Sequence, residues 1–501
     1  MTSLRPDNLD VRVYQRTGRP DNKALELADQ LLLILPVRPS ASLWKKLPHG
    51  SKMQQLIKKR AAGAVPAMTD RLPNKRQTLL VAGTIAKDAS AFEQLTLGRK
   101  LVAAACAENA GSLGIVVLGF DSATTTALYN NMLAAALAAG FALPSFKSTP
   151  TPARIKSIRL LGLDEKLDVS RTIAEAQGNN LARWLATMPP NKLDAVNYGR
   201  VAKQLAKQHG WTFKRYATRE LEKLGAGAFL AVAQGNEDNS ASIVHLKYRP
   251  GRKDAPADLS LVGKGIVFDT GGTNLKPFDS MLDMHGDMQG SAVAIGTFLA
   301  ITKLRLPIAV DCWLALTENR IGPKAYKSQD VVTAANGKTI QTIHTDAEGR
   351  MALADTLVLA SREAPKLVID YATLTGTCVA AITTRYSGVF TNKAEWHPRL
   401  KRSGQQSGER VWPFPIGKEF LAALDSPVAD LKQCSPKGSG DHILAASFLA
   451  EFIENDTPWI HIDLSASDVE GGLGHVPSKF TGFGVRYTMG LLLDENILGT
   501  K

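Results

Sequence analysis

The chain has 501 residues, of which 44% are hydrophobic and 21% are charged, and its formal net charge is +13 at pH 7. These values are typical of a globular protein with room for two or three domains. No apolar stretch approaches the roughly 20 residues that cross a membrane, and the first residues lack the apolar core of a signal peptide. We therefore expect a cytoplasmic protein without a membrane span.

Much of the positive charge lies in short basic clusters, for example at 75–80, and acidic residues are mixed with basic ones elsewhere. A solvated, lysine-rich surface is the simpler interpretation, because no nucleic-acid-binding motif accompanies the charge. DNA binding stays open as a second possibility.

The first third of the chain alternates short apolar runs with helical stretches. Strands are predicted at LLLILP (31–36), TLLVAGTI (78–85) and GIVVLGF (114–120), and a helix at LGRKLVAAACAENAG (97–111). A further helix begins near Asp168 and ends before Pro189 and Pro190. These patterns predict an N-terminal α/β domain over 1–155 and a linker helix within 156–190.

The remainder, 191–501, again alternates strands and helices. Helices are predicted at 196–209 and 290–303, and strands at FLAVAQG, SIVHLKY, LSLVGKGIVFD, AVDCWLAL and LVIDYATLTG. The predicted fold is therefore α/β with two domains, the larger C-terminal one built on a mixed central sheet.

Acidic residues accumulate where these apolar strands end. Asp269 closes one strand, Asp287 precedes a small-residue helix, and Asp346, Glu348 and Arg350 alternate along what we expect to be an extended segment. Ligands collect beyond the carboxyl ends of strands in open α/β sheets. Several carboxylates in one crevice repel one another unless a cation lies among them, so we expect a divalent metal there.

Oxygen ligands without cysteine suit zinc, manganese or magnesium, and the carboxylates are numerous enough to bridge two ions roughly 4 Å apart. Lys264 and Lys276 lie among these acids. Each could act as a charged ammonium or, as a neutral amine, as a metal ligand.

Four segments together carry a resemblance to a known family. VGKGIVFDTGGTNLKP (262–277), GDMQGSA (286–292), TDAEGR (345–350) and YATLTG (371–376) resemble, in the same order, motifs of the leucyl (cytosol) aminopeptidases. The resemblance runs from Pro189 to Asp463. It implies a hydrolase with two zinc or manganese ions that removes N-terminal amino acids, with a leucine-like preference, from peptides. It also implies a homohexamer of two stacked trimers.

The resemblance assigns the metal ligands. Asp269 and Glu348 would bridge the two ions, neutral Lys264 and Asp287 would complete the tighter site, and Asp346 would complete the more exchangeable one. Asp287 would also help to hold the free amino group of the substrate.

The resemblance also assigns the remaining roles. Lys276 would stay charged and stabilise the oxyanion of the tetrahedral intermediate. Arg350, with backbone near Leu374, would anchor a bicarbonate ion that serves as the general base. The pocket for the first substrate side chain would be lined by Met284, Thr373 and Gly376.

Three histidines leave alternatives open. His344 and His285 stand two residues before predicted ligands and depart from the family pattern; His344 is either a hydrogen-bond partner of the metal loop or a tolerated polar substitution. We expect His461 to be a core histidine rather than a ligand.

A catalytically silent, DNA-binding or scaffolding relative is the alternative function, although all five ligands, Lys276 and Arg350 are present.

Overall fold

A computed structural model describes residues 3–58, 68–108, 111–149, 155–237, 240–251 and 255–499. Its helices and strands confirm an α/β fold with mixed sheets. Among the described residues, none of the helices combines the length and apolar character needed to cross a bilayer.

The first sheet has six strands in the order β1-β6-β5-β2-β4-β3, and only β3 runs antiparallel to its neighbour. Its central strands are continuous apolar runs because helices cover both faces. The strands are β1 Arg12–Thr17, β2 Gln30–Pro36, β3 Met68–Arg71, β4 Leu79–Ile85, β5 Ser112–Val117 and β6 Ser157–Leu163.

The second sheet has eight strands in the order β15-β14-β17-β13-β9-β10-β8-β7, and a small third sheet has the order β11-β12-β16. In the second sheet, β17, β13, β9 and β10 are mutually parallel. Strand β14 pairs antiparallel with β17, and β8 pairs antiparallel with both β10 and β7. The strands are β7 Thr212–Ala217, β8 Ser242–Tyr248, β9 Leu259–Asp269, β10 Val310–Asn319, β11 Val331–Thr333, β12 Thr339–Gln341, β13 Val368–Ala372, β14 Ser387–Thr391, β15 Val411–Pro413, β16 Leu431–Lys432 and β17 Trp459–Asp463.

Helices lie on both faces of the second sheet, and alternate residues of β9 enter two different cores: Leu261 packs with α11 on one face and Val262 with α12 on the other. The helices are α1 Asn22–Leu25, α2 Ala41–Trp44, α3 Gly50–Lys58, α4 Ala91–Ala105, α5 Ser122–Gly140, α6 Ser170–Thr187, α7 Ala195–His209, α8 Thr218–Lys223, α9 Gly227–Ala233, α10 Phe278–Met281, α11 Gln289–Lys303, α12 Glu348–Arg362, α13 Gly376–Ile382, α14 His397–Ser407, α15 Lys418–Leu421, α16 Asp441–Ala450 and α17 Val485–Leu493.

One predicted strand is wrong. FLAVAQG (229–235) falls largely in α9, where Asp355 of α12 accepts a hydrogen bond from the backbone N–H of Phe229 at 2.8 Å. Short apolar runs do not distinguish a buried strand from a buried helix, and alanine and leucine favour the helix.

The predicted linker range contains two different elements. Strand β6 pairs with β1 and β5 inside the first sheet, and α6 follows it. Helix α6 crosses α11 at two glycines: a Cβ atom on Gly178 would lie 2.3 Å from the carbonyl oxygen of Gly296, and the reverse distance would be 2.5 Å. The domain boundaries themselves stay a prediction.

Candidate metal centre

The carboxyl ends of three parallel strands meet at one edge of the second sheet. Asp269 is the last residue of β9, Asp463 is the last residue of β17, and Thr373 directly follows β13. Parallel strands bring their carboxyl ends to the same edge, which is where ligands bind in such sheets. The predicted crevice is therefore present.

Three carboxylates come together in this crevice. Asp269, Asp346 and Glu348 each offer an oxygen, and these oxygens lie within 4.8 Å of one another. Asp269 Oδ1 accepts hydrogen bonds from the backbone N–H of Gly271 and from Asn319 Nδ2, both at 2.8 Å. These bonds fix the carboxylate in place, and the cluster has the chemistry of a divalent-cation site.

Lys264 lies beneath the carboxylates and is almost fully buried. Its Nζ is 2.8 Å from Asp287 Oδ2 and 2.9 Å from Glu348 Oε1, and it donates to the carbonyl oxygen of Thr373 at 2.9 Å. Burial by itself lowers the pKa of this amine, but Asp287 and Glu348 outweigh burial and raise it. A divalent ion among the same acids would compete with this charge, so the neutral-ligand role stays a prediction.

Lys276 approaches the cluster from the side that faces the cavity. Its Nζ is 2.9 Å from Asp269 Oδ2 and 2.6 Å from Asp346 Oδ1. The pKa of the amine is raised, because the attraction of Asp269 and the neighbouring acids exceeds the effect of burial. The raised pKa favours the charged form of the amine, and the role of that charge stays a prediction.

The buried carboxyl groups of this cluster ionise less readily than carboxyl groups in water. The pKa of Glu348 is raised to about 8 and that of Asp287 to about 6, because burial and the negative charge of Asp269 together outweigh the opposing effect of Lys264. The pKa of Asp346 is raised for the same reasons, burial first and Asp269 second. A cation among these groups would favour their ionised forms, so the residues fit a bound metal.

The local structure of TDAEGR differs from the expected extended segment. Glu348 and Arg350 belong to the first turn of α12, and Asp346 lies just before that helix. The expected strand-like alternation is therefore wrong, and the first helical turn brings these side chains to the crevice instead. Acidic residues at a helix N-terminus are favoured by the partial positive charge there.

The acids line a cavity of about 430 Å³. Thr373 Oγ1 donates to Asp287 Oδ1 at 2.7 Å, which links the loop after β13 to the metal cluster. The residues to which the resemblance assigned a metal, catalytic or substrate role all line this cavity, namely Lys264, Asp269, Lys276, Met284, Asp287, Asp346, Glu348, Arg350, Thr373, Leu374 and Gly376.

Comparison with known proteins decides the family. Residues 180–489 match the catalytic domain of the cytosol aminopeptidase family. The chain belongs to the cytosol aminopeptidase family. Its relatives include a probable cytosol aminopeptidase of Sulfurihydrogenibium sp. (strain YO3AOP1), 37% identical over 67% of this chain and 66% of the relative. Another, from Synechococcus sp. (strain JA-3-3Ab), is 38% identical over 68% of this chain and 69% of the relative.

A solved structure of a mutant tomato leucine aminopeptidase shares the fold. It matches with a TM-score of 0.83 and 24% sequence identity, and the superposition covers 98% of each chain. The structural match therefore extends to the part of the chain before residue 180, which lies outside the family match.

The anion site expected for a cytosol aminopeptidase already holds carboxylates of the chain itself. Arg350 donates from Nη1 to Asp441 Oδ1 at 3.0 Å and from Nη2 to Asp441 Oδ2. The backbone N–H of Leu374, the second predicted anchor, donates to Asp463 Oδ1 at 3.2 Å. The residues present do not fit an additional bicarbonate ion.

Four residues at this site were missed by the sequence analysis. Asp441 and Asp463 contact the anion-site residues, Asn319 orients Asp269, and a Cβ atom on Gly349 would lie 2.7 Å from Lys264 Cε. Asp463 offered a signal, because it ends the apolar run WIHID (459–463) in the way that Asp269 ends its own apolar run. The other three are far from the motifs or lack functional groups, so spacing could not reveal them.

The histidines occupy distinct positions. His344 Nδ1 accepts from the backbone N–H of Asp346 at 3.3 Å, so it contacts the metal loop through backbone. His285 packs edge-to-face against Phe480 at a centroid distance of 5.3 Å. His461 is fully buried, with Nδ1 2.6 Å from Asp370 Oδ1, which confirms a core histidine.

Proposed function

We propose that the chain is a metal-dependent aminopeptidase that removes N-terminal residues from peptides. The observation that carries the proposal is the convergence of Asp269, Asp346 and Glu348 oxygens within 4.8 Å of one another, flanked by two lysines in one cavity. Such a cluster can hold divalent ions, and two ions account for the number of carboxylates better than one.

The ligands we assign are Asp269 and Glu348 as bridging groups, Lys264 and Asp287 for one ion, and Asp346 for the other. Zinc or manganese is the expected metal, because the donors are oxygen and amine nitrogen. When bound, the ions would lower the pKa of a coordinated water and polarise the scissile carbonyl.

Lys276 has the chemistry of an oxyanion-stabilising group. It keeps its charge, it is mostly buried, and its amine faces the cavity beside Asp269 and Asp346. A fixed positive charge in a water-poor cavity stabilises negative charge that develops in a transition state more strongly than it would in water.

A carboxylate in the cavity would select substrates with a free, positively charged N-terminus. Asp287, held by Thr373 and Lys264, presents a buried carboxylate that can bind an α-ammonium group. Met284, Thr373 and Gly376 line the same cavity and would surround the first side chain. An apolar, flexible methionine in that wall favours leucine-like side chains.

A hexamer is the expected assembly. The segment beside the site exposes three large apolar side chains, with exposed fractions of 54% for Leu275, 74% for Phe278 and 62% for Leu282. Exposed apolar patches of this kind are typical of protein interfaces.

Hydrolysis of leucine p-nitroanilide and of N-acetyl-leucine p-nitroanilide tests the proposal. An aminopeptidase cleaves only the first substrate, because acetylation removes the ammonium group that Asp287 binds. Equal rates on both would contradict exopeptidase action. Hydrolysis of neither, across a panel of aminoacyl p-nitroanilides, would favour the catalytically silent DNA-binding or scaffolding alternative.

A further inference from the structure

Arg350 and Asp441 form a two-bond ion pair inside the cavity. Arg350 is buried in the first turn of α12, and Asp441 is the first residue of α16. The planar guanidinium donates two roughly parallel hydrogen bonds to the two carboxylate oxygens. A bicarbonate ion would present the same two oxygens to the same fork, so the two anions compete for one site.

The first turn of α16 reinforces this position for a carboxylate. Negative charge is stabilised at a helix N-terminus by the unpaired backbone N–H groups and the helix dipole. Arg350 Nη1 also donates to the backbone carbonyl oxygen of Gln433 at 3.2 Å, which orients the guanidinium. Asp441 is thus held from two sides, by the arginine fork and by its own helix.

A second anion would meet unfavourable electrostatics here. Arg350 Nε is buried and has no hydrogen-bond partner among the residues that the structure describes, but an anion bound there would share one guanidinium charge with Asp441. The backbone N–H of Leu374 is directed at Asp463, whose Oδ2 also accepts from Thr375 Oγ1 at 2.6 Å. A bicarbonate ion beside Asp441 and Asp463 would add a further negative charge to a poorly solvated cavity, where like charges repel strongly.

We propose that Asp441 is a built-in carboxylate that takes the place of bicarbonate in the anion site, so that this chain acts without a bound bicarbonate ion. The proposal rests on the proposed aminopeptidase function. It concerns which anion lies against Arg350, and it leaves the metal ligands unchanged.

The first test measures leucine p-nitroanilide hydrolysis by zinc-loaded protein in carbonate-free buffer, with and without added bicarbonate. The wild-type rate should change by less than about twofold, because its site is filled. Asp441→Ala should lose about tenfold or more in kcat, and bicarbonate should restore most of that loss. Asp441→Asn should lose activity without recovery, because the amide fills the space but supplies no negative charge.

The second test does not depend on activity. Binding of 13C-labelled bicarbonate to zinc-loaded protein, followed by broadening of its 13C resonance, should be saturable for Asp441→Ala and absent for the wild type. Saturable binding to the wild type, or wild-type activity that requires bicarbonate, would overturn the proposal even if the protein is an aminopeptidase. Should the wild type hydrolyse nothing, the aminopeptidase proposal fails, and the binding comparison still tests the role of Asp441.

Discussion

At the scale of single residues, Gly349 shows how closely the site is packed. It separates Glu348 from Arg350, and a Cβ atom there would lie 2.7 Å from Cε and 2.8 Å from Nζ of Lys264. Lys264 has little room to move, because Asp287, Glu348 and the Thr373 carbonyl hold its amine. A glycine is needed for the lysine to reach the acids.

We therefore predict that Gly349→Ala lowers kcat/KM by about tenfold or more and reduces the metal content, because the lysine is displaced. Steady-state kinetics and elemental analysis of the purified variant measure both effects. Gly199→Ala is the control, because a Cβ atom there would meet its nearest neighbour at 4.0 Å. Full metal content with unchanged kcat/KM in Gly349→Ala would refute this role.

That the acids lie in one crevice could be predicted from sequence, because Asp269 ends an apolar strand and Asp287 precedes a helix. The helical conformation of Glu348 and Arg350 could not be predicted in this way. Asp441 could not, because 91 residues separate it from Arg350 and only the packing of α16 beside α12 brings them together. Asn319 looks like an ordinary strand end, and its bond to Asp269 depends on the pairing of β10 with β9.

At the scale of elements, the crossing of α6 and α11 depends on Gly178 and Gly296. The backbones approach so closely that a methyl group on either glycine would overlap the carbonyl oxygen of the other. Helix α11 also follows Asp287, so its position contributes to the placement of a ligand.

Gly296→Ala should destabilise the protein by about 2 kcal/mol or more. The new methyl group would overlap the backbone carbonyl of Gly178, which cannot move aside as the end of a flexible side chain can. Gly199→Ala, at a buried position of α7 where the nearest atom to an added Cβ would be 4.0 Å away, should instead be neutral or slightly stabilising. Chemical denaturation of the two variants beside wild type measures the difference. Equal stability of Gly296→Ala and Gly199→Ala would show that the two helices can separate at little cost.

The start of α17 depends on a buried acid. Glu409 Oε2 accepts the backbone N–H groups of Gly484 at 2.9 Å and Tyr487 at 2.8 Å, and burial raises its pKa to about 7. An unfolded glutamate titrates near about 4.3, so between about pH 4.5 and 7 only the folded state keeps the proton. Stability should therefore fall as pH rises through this window, by roughly 3 kcal/mol from this group.

Glu409→Gln keeps an acceptor oxygen but cannot ionise, so its stability should fall less than that of the wild type over the same window. Melting temperatures at pH 5 and pH 7.5 measure the two slopes. Identical slopes in wild type and variant would show that Glu409 does not contribute to the pH dependence.

Most of the elements around the site followed the sequence patterns. SIVHLKY and LSLVGKGIVFD coincide with β8 and β9, because buried strands read as continuous apolar runs. FLAVAQG and TDAEGR did not follow them. Their conformations depend on contacts with α12 and on its N-terminus, which a short local pattern does not contain.

At the scale of the whole molecule, the proposed active site lies beside a surface that we expect to be an interface between subunits. The exposed apolar side chains of Leu275, Phe278 and Leu282 lie on the segment that joins β9 to α11, next to the cavity. Contacts between subunits at this segment would shield both the apolar surface and the site beside it from bulk water.

For a chain of 53.9 kDa, light scattering coupled to size exclusion should give a mass of about 320 kDa, the value for six subunits. Replacement of Phe278 by glutamate should reduce that mass if this segment lies between subunits. A wild-type mass near that of one chain would contradict the hexamer, and an unchanged mass in Phe278→Glu would place the contacts elsewhere.

The measurement that tests the central claim most directly is the reconstitution of metal-stripped protein with Zn²⁺ or Mn²⁺, with bound metal and leucine p-nitroanilide hydrolysis followed together. We predict that activity returns as two ions bind per chain, and that Glu348→Ala neither reaches that stoichiometry nor regains activity. Full activity in the stripped protein, or in Glu348→Ala, would contradict a metal-dependent aminopeptidase built on these carboxylates.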